Sequence, residues 1–343
     1  MYQPSEKARQ IIEAIGGFVR DEILPLEQRA GLSWAEPHPR EVLQEVWRRS
    51  CEQGFYNIML PEAIGGAGLN VSDLCAVKEA TVLSGSMLAP HILGELSGPP
   101  RVGHLFKVAS PFQVEAFLQP VCRAQKAVCF ALTESEAGSD ATAIKTSARR
   151  DGDDYILNGS KRFISGAPYA DIAVLLAVTG AGGGAQAISA FFVDLKAPGV
   201  RIDSDYAVMS GGGAHGDIFL DNVRVPAASR IGEEGQGFKL AMGRITLNRL
   251  LHCPTMLGLA GLALNLSIDY ARTRKQFGQP IAMFQSINHM IADMATELHA
   301  ARSMVYATAA LNDAGGDIRT QAPMCKLFVS ETAFRIADRA VQI

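Results

Sequence analysis

The chain has 343 residues, 48% hydrophobic and 20% charged, with 32 basic against 35 acidic side chains and a formal net charge of −3. That length suits two or three domains, each with a buried core. The charge balance lacks the basic excess by which proteins meet nucleic acid or anionic membranes, so an anionic ligand would need local positive charge.

The opening M-Y-Q-P-S-E-K-A-R-Q has neither signal-peptide nor transit composition. Residues 1–125 are predicted to form an α-helical domain. Within 6–20, Ile11, Ile12, Ile15, Phe18 and Val19 recur on one helix face, with Ser5 placed to cap its start. Residues 41–54 set Val42, Leu43, Val46 and Trp47 out the same way, and 61–69 is glycine-rich enough to read as loop.

The period changes over 126–234, the predicted middle β domain. Residues 130–140, F-A-L-T-E-S-E-A-G-S-D, are a short apolar strand running into a turn of small residues and hydroxyls. Ile144, Thr146 and Ala148 alternate before a turn at 151–153. Strand-like runs follow at 155–157, 171–179, 188–195 and 217–225, with glycine-rich 180–185 among the connections. A hairpin-like turn is expected at Asn158 and Gly159, ahead of K-R-F-I-S-G over 161–166. Short strands at this spacing predict a small barrel or sandwich.

Long helices are expected to return over 235–343, as a C-terminal helical bundle. Residues 238–274 are nearly continuous except at Pro254, a kink or break. Their least charged run, 253–268, is shorter than a membrane span and reads as an all-round buried helix. Residues 282–314 place Ile287, Met290, Ile291, Met294 and Leu298 on one face and end at Gly315 and Gly316. The last helix starts near Thr320 and is still running at Ile343. The fold class is thus α+β and multi-domain, helical then β then helical. It is not a dinucleotide fold, since no strand leads into G-x-G-x-x-G.

Cys51, Cys75, Cys122, Cys129, Cys253 and Cys325 are scattered, without a C-x-x-C pair, and read as free thiols of a reducing compartment. The cytoplasm is the expected location, away from membrane and nucleic acid. The seven histidines show no ligand pair; His289 and His299 read as helix surface or satisfied core, and no metal is expected.

Residues 131–140 resemble the first acyl-CoA dehydrogenase signature throughout. Further matches are P-E over 61–62 with G-G-x-G-L over 65–69, L-N-G-x-K over 157–161, D-N-V-x-V-P over 221–226, G-x-G-F over 235–238, R-T-R-K-Q-F-G over 272–278 and M-I-A-D-M over 290–294. They run in order along the whole chain. S-D-A-T from Ser139, the turn near Gly152 and G-G-x-A-H-G over 211–216 resemble the branch that includes human members ten and eleven.

The resemblance implies FAD as cofactor, an acyl-CoA substrate, electron-transfer flavoprotein as electron acceptor, and a homodimer or homotetramer. Phe130, Leu132 and Thr133 would line the isoalloxazine edge, and Ser139 would lie near the flavin pyrophosphate and the substrate thioester tail. Asp140 would brace its own turn. Phe163 falls where many relatives carry a stacked tryptophan, and Ser165 where they carry a threonine that bonds N5. Arg274, Gln276 and Phe277 match a loop reaching the FAD diphosphate of a neighbouring subunit, a task suited to the bidentate guanidinium. Phe284, Gln285 and Gln342 would lie around the adenine half, with Arg249 and Thr246 beside the acyl-CoA.

The implied reaction takes the α proton of the thioester with a carboxylate and passes the β hydride to flavin N5. Relatives hold that carboxylate either where this chain has Asn248, which cannot take a proton, or in a loop whose counterpart is expected beyond Ile343. The second signature, which follows V-Q-I in relatives, is expected there too, and the chain as it stands is expected to be inactive. A base-less partner subunit, a non-catalytic binding relative and a flavin-dependent oxidase or monooxygenase remain open alternatives.

Overall fold

The computed structural model describes residues 2–34, 36–204, 206–208, 211, 212 and 214–343. Gly213, the variable position of G-G-x-A-H-G, lies outside them. The chain folds as helices, then a sheet, then helices, as expected. It divides into two compact units, one of residues 1–25, 69–89 and 244–343, the other of 26–68 and 90–243.

In the first unit, α1 (Glu6–Phe18) starts where Ser5 Oγ accepts the Ala8 amide at 3.2 Å and buries Ala8, Ile15 and Phe18. Helix α3 (Val71–Leu83) starts at Asn70, whose side chain accepts the Asp73 amide. The amides of Val71 and Ser72 donate to the Asp313 carboxylate at 2.7 and 3.0 Å. An anion at a helix start satisfies amides that have no partner inside the helix.

The long apolar stretch is two helices, α4 (Gly237–Leu251) and α5 (Cys253–Thr273), broken where Pro254 enters the first turn of the second. Helix α5 packs on α3 through Gly258, where a Cβ would lie 2.8 Å from the Glu79 carbonyl oxygen. It is not buried all round, because Leu259, Leu266 and Tyr270 face outward. Taken together, residues 237–273 are long and apolar enough to cross a membrane, unlike the shorter run 253–268, and half of their most apolar window is buried in the fold. Helices α6 (Gln285–Asp313) and α7 (Gln321–Gln342) complete the unit. Met294 and Leu298 are buried on α6, Ile287, Met290 and Ile291 are half-buried, and His289 and His299 are exposed.

The second unit holds α2 (Arg40–Glu52), which buries Leu43, Val46 and Trp47, and an eight-stranded sheet. Its strands are β1 (Val128–Ala131), β2 (Ser147–Asp151), β3 (Asp154–Ser165), β4 (Ile172–Val178), β5 (Ile188–Asp194), β6 (Val200–Asp203), β7 (His215–Pro226) and β8 (Arg230–Ile231). They run in the order β8-β5-β4-β2-β3-β7-β6, with β1 parallel to β4. Both faces are covered. Ala173, Leu175 and Ala177 of β4 join one apolar cluster, and Ile172, Val174 and Leu176 join another. Side chains that alternate sides explain why this strand reads as an unbroken apolar run.

One expected turn is absent. Asn158 and Gly159 lie inside the continuous β3, at a register shift, while the turn expected at 151–153 is present, at Gly152 between β2 and β3. Gly159 has φ 141°, and a Cβ there would lie 2.7 Å from Thr146 Cα, so close backbone approach selects the glycine. Asn158 Oδ1 accepts the amide of Asn222, itself at φ 51°, at 2.8 Å.

Candidate active site

Strand β1 ends at Ala131, and the loop that leaves it is held against β3. The Arg162 amide donates to the Thr133 carbonyl at 2.8 Å. Lys161, with no exposed surface, donates through Nζ to the Leu132 carbonyl at 3.0 Å and to Glu134 Oε1 at 2.8 Å. Glu134 also accepts from the amides of Lys145 and Thr146 at 2.7 and 3.0 Å. Burial pushes the Lys161 ammonium down to about 8, against the pull of Glu134, which leaves it charged at neutral pH. Burial alone would raise the Glu134 carboxyl, but Lys161, Thr146 and the Lys145 amide together hold it below its ordinary range.

These bonds bring Leu132 and Thr133 beside Lys161 and Arg162, at the start of the 161–166 piece and about thirty residues along the chain. Phe130 and Thr133 are half-buried, and Leu132 is buried. Ser165, also half-buried, pairs across the sheet with His215, whose Nδ1 is buried without a hydrogen-bond partner among the described residues.

Phe163 stands out from this rim. Its side chain is 54% exposed and its backbone has φ 55°. Lys161 pairs with Ile218 and Ile164 with Gly216, so Arg162 and Phe163 together oppose the single residue Asp217. That is a β-bulge, which turns a side chain away from its regular alternation. Asp217 Oδ1 accepts the Phe163 amide at 3.0 Å and Oδ2 accepts the Tyr206 hydroxyl at 2.6 Å. The two rings lie 4.8 Å apart, with the Arg162 guanidinium over them at 4.9 and 5.8 Å.

No motif in the sequence marks Asp217, Tyr206 or Arg162 as belonging together. An acid within a strand and a tyrosine before a glycine-rich stretch carry no signal until the bulge places them together.

Ser139 is exposed in the turn beyond the Glu134–Ala137 bridge, away from the rim residues in sequence. Asp140 braces that turn, accepting from the Thr142 amide and hydroxyl at 3.2 and 2.7 Å.

The remaining candidates belong to the helical unit. The loop expected at Arg274 is a hairpin, Lys275–Gln276 pairing with Gln279–Pro280 around Phe277 and Gly278, both at positive φ. A two-residue turn with both central residues left-handed matches the twist of the paired strands. It leaves Phe277 94% exposed, its ring 6.1 Å from that of Phe284. Arg274 is exposed at its base, Gln276 is exposed beside its turn, and Gln285 is exposed in the first turn of α6. Gln342 is exposed in the last turn of α7, on an open groove of about 630 Å3 that Leu266, Tyr270 and Val341 also line. On α4, Thr246 is half-buried and Arg249, one turn on and so on the same side, is exposed. Asn248 between them is half-buried.

Three family descriptions match nearly the whole chain: acyl-CoA dehydrogenase, N-terminal domain, over 5–125; middle domain, over 129–223; and C-terminal domain, over 235–343. The caffeyl-CoA reductase-Etf complex subunit CarC of Acetobacterium woodii is 40% identical over 307 residues, covering 88% of this chain and 80% of that protein. The solved butyryl-CoA dehydrogenase of Megasphaera elsdenii superposes with a TM-score of 0.86 at 28% identity, over 100% of this chain and 88% of that one. The FAD complex of PigA does so with a TM-score of 0.88 at 26% identity, over 100% and 88%.

Proposed function

The chain belongs to the acyl-CoA dehydrogenase family, and from that premise we propose that it oxidises an acyl-CoA thioester to the trans-2-enoyl-CoA. The observation that carries the reading is the Arg162-to-Thr133 bond, which joins the loop after β1 to β3 as one rim with an aromatic face and two hydroxyls. FAD is the cofactor, and when bound it supplies the acceptor for the β hydride. The rim suits a flat ring with polar edges: Phe163 offers an exposed π face, and His215 Nδ1 is a buried polar atom without a partner among the described residues.

In this reading Phe130, Leu132, Thr133 and Phe163 would hold the flavin ring, and the Ser165 hydroxyl would serve as a hydrogen-bond donor toward its hydride-accepting edge. Ser139 would lie near pyrophosphate and thioester tail, where an exposed turn of small residues would let backbone amides approach. Arg249 and Thr246 orient the acyl-CoA. Arg274, Gln276 and Phe277 would hold the diphosphate of a neighbouring subunit, with Phe284, Gln285 and Gln342 around the adenine half. The Asn248 amide has no basic lone pair and takes no proton, and α4 carries no Asp or Glu, so the α proton would go to a carboxylate outside this helix.

A homodimer or homotetramer fits the outward apolar side chains of this unit, among them Phe277, Phe334 at 71% and Val341 at 82% exposed. Electron-transfer flavoprotein is the proposed acceptor, in keeping with a relative named as an Etf-complex subunit. A cytoplasmic location suits six free thiols, five of them buried.

The experiment is anaerobic mixing of the FAD-loaded full-length protein with short, medium, long, branched and aryl acyl-CoAs. Because CarC is named a reductase, the chemically reduced protein is also mixed with the matching enoyl-CoAs. Bleaching by one class, or reoxidation by its product, supports the reading. Flavin inert to every pair overturns it.

A further inference from the structure

We infer that Asp217 is a positioning residue, the side chain that holds Phe163 in its outward orientation. The inference deepens the proposed function and rests on its reading of Phe163 as the ring-facing aromatic.

Three observations carry it. First, the bulge places two residues of β3 opposite Asp217 alone, so the Phe163 amide has lost its regular ladder partner and donates at 3.0 Å to Asp217 Oδ1. A phenylalanine at φ 55° is strained, and strain of that kind persists only where surrounding contacts impose it. Second, the other oxygen of the same carboxylate takes the Tyr206 hydroxyl at 2.6 Å. One acid thereby fixes both the backbone of Phe163 and the ring packed 4.8 Å from it, with Arg162 across both faces. The hydrogen bond to Asp217 also raises the Tyr206 hydroxyl, which keeps it protonated as the donor. Third, Asp217 sits directly opposite Asp203 of β6. Like charges in directly opposed strand positions are unfavourable, and Asp203 has only Arg201, at 3.5 Å, as its ion-pair partner among the described residues. An acid at 217 opposes sheet formation on this side, and the bonds to Phe163 and Tyr206 account for its presence.

Without the carboxylate, the Phe163 amide turns to water and its backbone is free to leave the left-handed region. The buried Ile218 and Gly216 on either side keep the strand in the sheet, so loss of orientation is separable from loss of fold.

The test titrates apoprotein with FAD and follows flavin absorbance, for the wild type and for D217A, D217N and Y206F. D217A is expected to bind FAD about tenfold more weakly, the loss of one charge-assisted hydrogen bond, with the bound spectrum moved toward that of free FAD. D217N keeps an acceptor oxygen for the Phe163 amide and is expected to recover most of both; if D217A does not fold, D217L, which fills the site without an acceptor, carries the test with the same expected loss. A second readout needs no cofactor: F163W and F163W/D217A are compared by tryptophan emission and anisotropy, each against its parent. A red-shifted, more mobile tryptophan in the double variant supports the inference. Unchanged affinity and spectrum in D217A, with unchanged emission in F163W/D217A, overturn it while leaving the rim as a flavin site. If the wild type binds no FAD the proposed function fails, and the emission comparison still decides the role of Asp217.

Discussion

The Lys161 ammonium, wholly buried in β3, donates to Glu134 Oε1 at 2.8 Å and to the Leu132 carbonyl at 3.0 Å. It thereby ties the loop after β1 to the strand carrying Phe163 and Ser165. A cation in that place removes two acceptors from water at once, and each would be costly to leave alone.

K161M should therefore destabilise the protein by about 3–5 kcal/mol, because Glu134 is left as a buried charge without its partner. The double change K161M/E134L should cost less than the two single changes added together, since residues in contact do not act independently. Denaturant unfolding measures all three variants. A loss within experimental error for K161M would show that solvent reaches the pair.

The same pair sets two opposite responses to pH. Glu134 has a folded value below its unfolded 4.5, so its contribution is complete above 4.5 and is lost as pH falls through the folded value. E134Q should flatten that acid limb. Lys161 titrates near 8 in the fold against 10.5 unfolded. Between those values the unfolded chain holds the extra proton, so this group adds stability as pH rises. Melting temperature across pH, with E134Q and K161M as references, checks both signs.

Phe163 and Ser165 should separate in their effects. F163A removes the π face and should weaken FAD and move its spectrum. S165A removes one hydrogen bond, about 0.5–1.5 kcal/mol, and should slow flavin reduction roughly two- to tenfold with little change in FAD content. Stopped-flow reduction beside an FAD titration distinguishes them, and identical behaviour in both variants would place these residues outside the site.

R274E should lower FAD content by setting a negative charge against the diphosphate, and do so without unfolding the helical unit, because Arg274 is exposed at a hairpin base. Flavin-to-protein ratio and sedimentation, measured together, test the hairpin's reach to a neighbouring subunit. A variant that keeps one FAD per chain would contradict it.

Much of the architecture is legible in the sequence because periodicity reports burial directly. Ile15 and Phe18 on α1, and Leu43, Val46 and Trp47 on α2, are core as their spacing predicts, and Ser5 caps as predicted. Asn158 and Gly159 misled for a physical reason. The same pair that makes a tight turn also serves where a strand must pass close to its neighbour, and only the 2.7 Å approach to Thr146 distinguishes the two. The rim was legible as motif, from Phe130, Thr133, Phe163 and Ser165. Its supports were not. Lys161 matched a motif without a role attached, and Asp217 acts through a register shift that no spacing rule in one sequence encodes.

The most direct test of the proposed oxidation is to count enoyl-CoA formed against flavin reduced, by mass spectrometry of an anaerobic single turnover of the FAD-loaded full-length protein with the acyl-CoA that bleaches it best. One trans-2-enoyl-CoA per reduced flavin is the expected result. Stoichiometric FAD that stays oxidised with every acyl-CoA, with no enoyl product, would contradict it.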